Sequence, residues 1–322
     1  YPTKPLRIKY KGVHYLVANP FVNDPWSQAT PTPEKRNEQL DTIRNELGCN
    51  AIVLIAGDGT EDNLVEGCKS AEEKGFERIY AQIRYTNFTL DGIAKKLTDL
   101  APRMRKLREM SESIVFEFGC EFTFSSKGII PGNTYPERIE YAYAHSDWSY
   151  MMGEKLPEYF KRVIPIIKNE YGYPAGYLAN GEEVHLVPWS DSVFGSVDFM
   201  AYIADRWHQN ESFILGRLAD LQRFRKPISL AEWGCRSARG AGALDPAGDY
   251  DLSKPYDEDE QANYIARYCN MVNKVNANKP LASGMYCYDY YEDWDKGFGL
   301  LTYNNSGRKK GFYMYKSYQR VS

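Results

Sequence analysis

Short apolar runs and amphipathic, charge-rich segments alternate along the whole chain, and this alternation restricts the available folds more than any other feature. The strand-like runs are GVHYLVA (12–18), NAIVLIA (50–56), RIYAQIR (78–84), SIVFEFGCE (113–121), AGYLA (175–179), VDFMAYIA (197–204), ISLAEW (228–233) and LASGMYCY (281–288). Helix-like segments follow at 33–47, 62–75, 90–110, in a long region reaching Tyr171, and at 211–225, 258–276 and 311–319. Local signals support these boundaries: TPEKRNEQL places a proline and an early glutamate in a first helical turn, and Gly75 stops the second helix. A continuous apolar run such as NAIVLIA suits a parallel strand covered on both faces. Eight βα units over 322 residues predict a closed (β/α)8 TIM barrel forming a single domain over 1–322, with the Gly-rich, acidic stretch 236–256 as a long βα loop. The alternative is an open doubly wound sheet. That fold usually carries a glycine-rich phosphate turn after its first strand, whereas this chain reads LVANPFVNDPW there.

Composition narrows the function. The net charge is -3 with acids and bases interspersed, so no basic face invites nucleic acid and no polybasic run holds a membrane surface. No apolar run approaches the roughly 20 residues of a membrane-spanning helix. The six cysteines form no C-x-x-C pair and lie at no zinc-ligand spacing with the four histidines, which gives no ground for a metal or other cofactor and leaves disulfide pairing open. The first residue is Tyr1 and not methionine, which carries the expectation of a removed leader and a lean toward an extracellular setting. Oligomeric state is not encoded in any pattern seen here. Aromatic content is 14%, with 26 Tyr and 6 Trp, whose flat faces and polar edges suit sugar rings as well as cores.

Barrel enzymes carry their chemistry at the C-terminal ends of the strands, and two of these ends bear a glutamate. Glu121 closes the fourth strand and Glu232 the seventh. By simple alternation Glu121 shares a face with Gly119 and Glu117, and Glu232 with Leu230 and Ile228, so both are expected to point into the barrel mouth. Glu117, deeper in the strand, is expected to be a buried hydrogen-bond or ion-pair partner. Facing carboxyl groups are what glycoside hydrolysis needs, one to protonate the leaving oxygen and one to attack or to activate water.

Around these residues the sequence resembles the clan A glycoside hydrolases, in FGCEFTF about Glu121, LAEWG about Glu232 and YCYDYYEDWDKGFGLL after the eighth strand. The resemblance spans nearly the whole chain and implies a retaining glycosidase or transglycosylase acting by double displacement on a glycoside, oligosaccharide or polysaccharide. It implies Glu121 as acid/base and Glu232 as nucleophile. A narrower resemblance, through GCEFTFSSKGIIPGNTYPERI and EWGCRSARG, is to poorly characterised proteins labelled abortive-infection proteins. Two positions depart from the clan pattern: Cys120 stands where an asparagine usually holds the sugar 2-hydroxyl, and NAIVLIAGDG lacks the usual strand-two arginine. Arg84, or less readily Lys127, is available as a replacement cation.

The expected substrate contacts are Tyr202 as partner of the nucleophile, His14 as a hydroxyl ligand, Trp233, Tyr288, Tyr290 and Trp294 as stacking surfaces, and Asp289 and Asp295 as hydroxyl-binding carboxylates. Each has a plainer reading as a core or capping residue. The alternative function is a catalytically silent barrel that binds glycan or protein, against which the intact glutamate pair argues. A metal-dependent hydrolase lacks strand-end histidines, and no G-x-S-x-G elbow marks a serine hydrolase.

Overall fold

The structure is a computed structural model that describes residues 1–21, 29–172, 174–201, 207–243, 253–291 and 296–321. Eight parallel strands close into a barrel in chain order: Tyr10–Leu16, Ala51–Gly57, Arg78–Arg84, Ile114–Cys120, Ala175–Ala179, Val197–Met200, Ile228–Trp233 and Gly284–Cys287. We refer to them as barrel strands one to eight. The first pairs with both the second and the eighth, which closes the ring. Helices cover the outside, among them Pro33–Asp41, Glu61–Glu73, Leu90–Met110, Trp148–Ile166, Trp207–Leu221, Glu258–Val275 and Lys310–Ser317. The (β/α)8 expectation holds, and the expected element ends move by only a few residues.

Alternation sorts each strand into two layers. Ile52, Leu54 and Ala56 of strand two join the large core between barrel and helices, whereas Ala51, Val53 and Ile55 join a separate interior cluster with Leu16, Tyr80 and Tyr286. The rings of Tyr80 and Tyr286 meet edge-on at 5.4 Å inside the barrel. Gly12 makes room for them, since a Cβ there would lie 2.4 Å from the Tyr286 ring.

Regular alternation breaks at the two strands of interest. Glu117 and Cys120 of strand four pair with Gly176 and Leu178 of strand five, three steps against two. On strand seven, Leu230 and Glu232 pair with Phe199 and Met200, two steps against one. Each shift inserts one residue, and such bulges re-aim the side chains beyond them. Ile228 and Leu230 belong to the outer core, so an unbroken strand would send Glu232 outward as well; the extra residue turns it in. Strand four shows the converse. Cys120 joins Leu178, Met200 and Ala231 in a small cluster inside the mouth, and the expected common face of Glu117, Gly119 and Glu121 is interrupted.

The N-terminal end of the barrel is closed by chain ends. Lys4–Leu6 and Tyr318–Arg320 form a two-stranded parallel sheet. The buried Lys11 ammonium donates to the carbonyls of Leu47, Tyr315 and Tyr318 at 2.8 to 2.9 Å. No helix among the described residues is long and apolar enough to cross a membrane.

Candidate active site

Glu121 follows strand four with a left-handed backbone, φ 42° and ψ 62°, immediately before the short helix Phe122–Ser125. For a residue with a Cβ this conformation costs about 1–2 kcal/mol. Neighbouring groups over-determine it. The Glu121 N–H donates to the Leu178 carbonyl at 2.9 Å, the Phe122 N–H to the Tyr177 hydroxyl at 2.7 Å, and the Thr123 N–H to Glu183 at 3.0 Å. The loop beyond is clamped by the Arg138 guanidinium, which donates to the carbonyls of Phe124, Ser125 and Gly132 and to the Asn87 side chain.

The Glu121 carboxyl is buried and accepts a hydrogen bond from Asn180 Nδ2 at 2.9 Å. Burial pushes it up from the ordinary carboxylate range to about 8, helped by the negative charges of Glu183 and Glu232 and opposed by the Asn180 hydrogen bond and by Arg84. Glu232, also buried, faces the Arg84 guanidinium, with Nη2 3.3 Å from Oε2. Arg84 in turn donates through Nε to Gln82 at 2.5 Å, and Gln82 Nε2 donates to Glu117 at 2.6 Å. Thus a chain of side chains descends from Glu232 into the barrel. At its foot Glu117 hydrogen-bonds Asp198, and burial raises both, Asp198 to about 7. Glu117 is therefore a buried hydrogen-bond partner below the site, pushed toward its neutral form.

The expected site residues divide into four groups. Glu121, Glu232, Arg84 and Tyr288 converge at the mouth, where Tyr288 stands half-buried, edge-on to His14 and to Phe298 at 5.5 Å each. His14 is fully buried and its Nε2–H donates to the Ala231 carbonyl at 2.5 Å, bracing the backbone beside Glu232; burial pushes the imidazole down to about 4. Asp289 is buried, joined to Tyr288 by a cis peptide bond, and its carbonyl accepts from the Leu300 N–H. Arg84, not Lys127, is the cation paired with Glu232; the Lys127 backbone N–H donates to the Phe88 carbonyl. Two stacking assignments are corrected. Trp233 follows an inward glutamate and so faces outward, fully buried and stacked on Tyr268 with centroids 4.1 Å apart. Tyr290 packs beside Tyr15 and Tyr291, where Tyr15 reaches Gln39 of the first helix. Tyr202, Trp294 and Asp295 lie outside the described residues, as does part of the 236–256 loop.

Sequence reasoning missed Asn180, Glu183 and Tyr177, all from the segment following or within strand five, and Tyr135, whose phenol feels the charges of Glu121, Arg84 and Glu232. The strand-end position of Asn180 was the available signal, the same one that singled out the glutamates. Among the described residues no group of three or more His, Cys, Asp or Glu is placed to hold a metal ion.

Comparison with known proteins gives a consistent placement. A β-1,4-mannanase of glycoside hydrolase family 113 superposes with a TM-score of 0.63 at 16% identity, covering 97% of this chain and 98% of that one. A β-mannanase of the same family from Alicyclobacillus acidocaldarius gives 0.60 at 15% identity, with 96% of each chain covered. Fungal β-1,4-galactanases give 0.59 at 12% identity, with 96% of this chain and 99% of that one covered. At these identities the likeness concerns the fold, that of clan A glycoside hydrolases. A search of curated proteins returns no match. The abortive-infection label finds no support in these comparisons. The sequence profile described as Glycoside Hydrolase Family 113 matches residues 149–316, a stretch that contains Glu232 and begins after Glu121. That match spans just over half of the 322 residues, on a barrel with two strand-end glutamates, and the chain belongs to glycoside hydrolase family 113.

Proposed function

We propose that this glycoside hydrolase cleaves β-linked glycans with retention, Glu232 serving as nucleophile and Glu121 as acid/base. The observation that carries the assignment is the asymmetry of the pair: Glu121 is pushed up to about 8 by burial, while Glu232 is ion-paired with Arg84. Environments that separate two carboxyl groups in this way assign the acid and its partner. In the first step Glu232 forms a bond to the anomeric carbon as Glu121 gives its proton to the departing glycosidic oxygen. In the second, the Glu121 carboxylate takes a proton from water, the resulting hydroxyl bonds to the anomeric carbon, and Glu232 leaves as carboxylate. The names of the similar structures make β-1,4-mannan and β-1,4-galactan the first polymers to try.

The test combines product stereochemistry with two variants. Early-time proton NMR of oligosaccharide digestion should show the β anomer before mutarotation. Glu232→Ala should lose turnover with every leaving group. Glu121→Ala should lose about 10²–10⁴-fold on natural glycans yet far less on glycosides whose phenol departs without protonation. An inverted first product, or equal losses of Glu121→Ala across leaving groups, contradicts the assignment.

A further inference from the structure

Strand five and the turn after it read AGYLANGEEV, in which Asn180 bonds the Glu121 carboxyl while Tyr177 and Glu183 hold the backbone just after it. Asn180 has its amide orientation fixed. Its Oδ1 accepts from the backbone N–H groups of Glu182 and Glu183 at 3.0 and 2.9 Å, so only the Nδ2 side remains for Glu121, to which it donates at 2.9 Å. Glu183, fully buried, is surrounded by donors: the Thr123 N–H at 3.0 Å, the Thr123 hydroxyl at 2.6 Å and the Tyr177 hydroxyl at 3.0 Å. Because the Phe122 N–H occupies the Tyr177 oxygen, the hydroxyl proton is directed at Glu183. Burial pushes the Glu183 carboxyl up, and these donors oppose that rise by favouring its ionised form; none requires it to donate.

We propose that Asn180 and Glu183 are positioning residues that act on Glu121 in opposite senses, Asn180 as a fixed hydrogen-bond donor and Glu183 as a fixed negative charge that also anchors the turn carrying Glu121. The inference rests on the reading of Glu121 as acid/base and names what tunes it. The other groups facing that carboxyl are Glu232 from strand seven, Arg84 from strand three, Cys120 from its own strand and Tyr135 from the helix Tyr135–Ala144. Among the described residues Asn180 and Arg84 favour its ionised form, while Glu183 and Glu232 disfavour it. A donor held by two backbone N–H groups cannot rotate into an acceptor, so the opposition is built into the turn.

The test reads Glu121 directly, by carboxyl ¹³C NMR of protein labelled at the glutamate side-chain carbon, the resonance being assigned by its loss in Glu121→Gln. Asn180→Ala should move the Glu121 midpoint upward by about one pH unit, and Asn180→Asp, which keeps the two backbone bonds and the volume, should move it upward as well. Glu183→Gln should move it downward. A loosened turn would shift all variants the same way; shifts of one sign, or none in Asn180→Asp and Glu183→Gln, overturn the proposal. The catalytic reading is checked separately by the wild-type pH-rate profile: an alkaline limb that does not follow the NMR midpoint removes Glu121 as the acid while leaving the two shifts to stand or fall by themselves.

Discussion

Glu121 is held in a costly state twice over, in a left-handed backbone and in a buried site that disfavours its charge. The second cost is linked to pH. Its folded-state value is raised from 4.5 to about 8, so the folded protein binds a proton that the unfolded chain has released. Stability contributed by this group is therefore complete at pH 4 and is lost as pH rises toward 8. Glu121→Gln, which cannot ionise, should match the wild type near pH 4 and exceed it at pH 8 by on the order of 2–4 kcal/mol. Urea midpoints at the two pH values measure this, and a difference independent of pH would refute it. The two glutamates were legible in the sequence because carboxylates at strand ends four and seven are conspicuous; the faces assigned to them by alternation were not reliable guides.

At the scale of elements, the legible parts were those governed by local periodicity. Arg78–Arg84, Leu90–Met110 and Ala175–Ala179 fall where the apolar pattern puts them. What stayed hidden was non-local. The bulges at 117–120 and 230–232 exist only relative to the neighbouring strands, and the strand Lys4–Leu6 finds its partner more than 300 residues away. Trp233 was misread because an aromatic beside the glutamate was taken for a sugar platform, whereas the residue after an inward glutamate faces the helices and stacks on Tyr268. The loop carrying Glu121 likewise depends on a distant donor, Arg138. Removing that guanidinium takes a donor from the carbonyls of Phe124, Ser125 and Gly132, of which Ser125 keeps the Asn87 N–H. Arg138→Met should cost on the order of 3 kcal/mol in urea unfolding and lower kcat more than it raises KM. Full kcat in a folded Arg138→Met protein would show that the clamp has no part in presenting the acid.

Across the whole molecule the two ends of the barrel have separate duties, as is general for this fold. Buried carboxyl groups pushed upward gather from Asp198 to Glu121, while the opposite end is fastened by Lys11 and the paired chain segments. Lys11→Met should therefore lower stability by on the order of 3 kcal/mol, since three carbonyls lose their donor, and leave kcat and KM within about twofold. Denaturant melts and kinetics on the same preparation test the separation; a parallel fall in kcat at temperatures where the variant is folded would contradict it.

All six cysteines are buried as free thiols, and burial pushes Cys49 and Cys269 up to about 12. Folded, the chain offers an alkylating reagent neither access nor thiolate. Labelling thus becomes a clock for opening: each modified molecule, counted by mass, records one passage through a state in which the barrel has parted. Cys120 gives that clock a second hand. It alone of the six packs in the small cluster at the mouth, so a bound sugar should slow its modification relative to Cys68 under the outer helices, and the ratio of the two would report occupancy without any turnover.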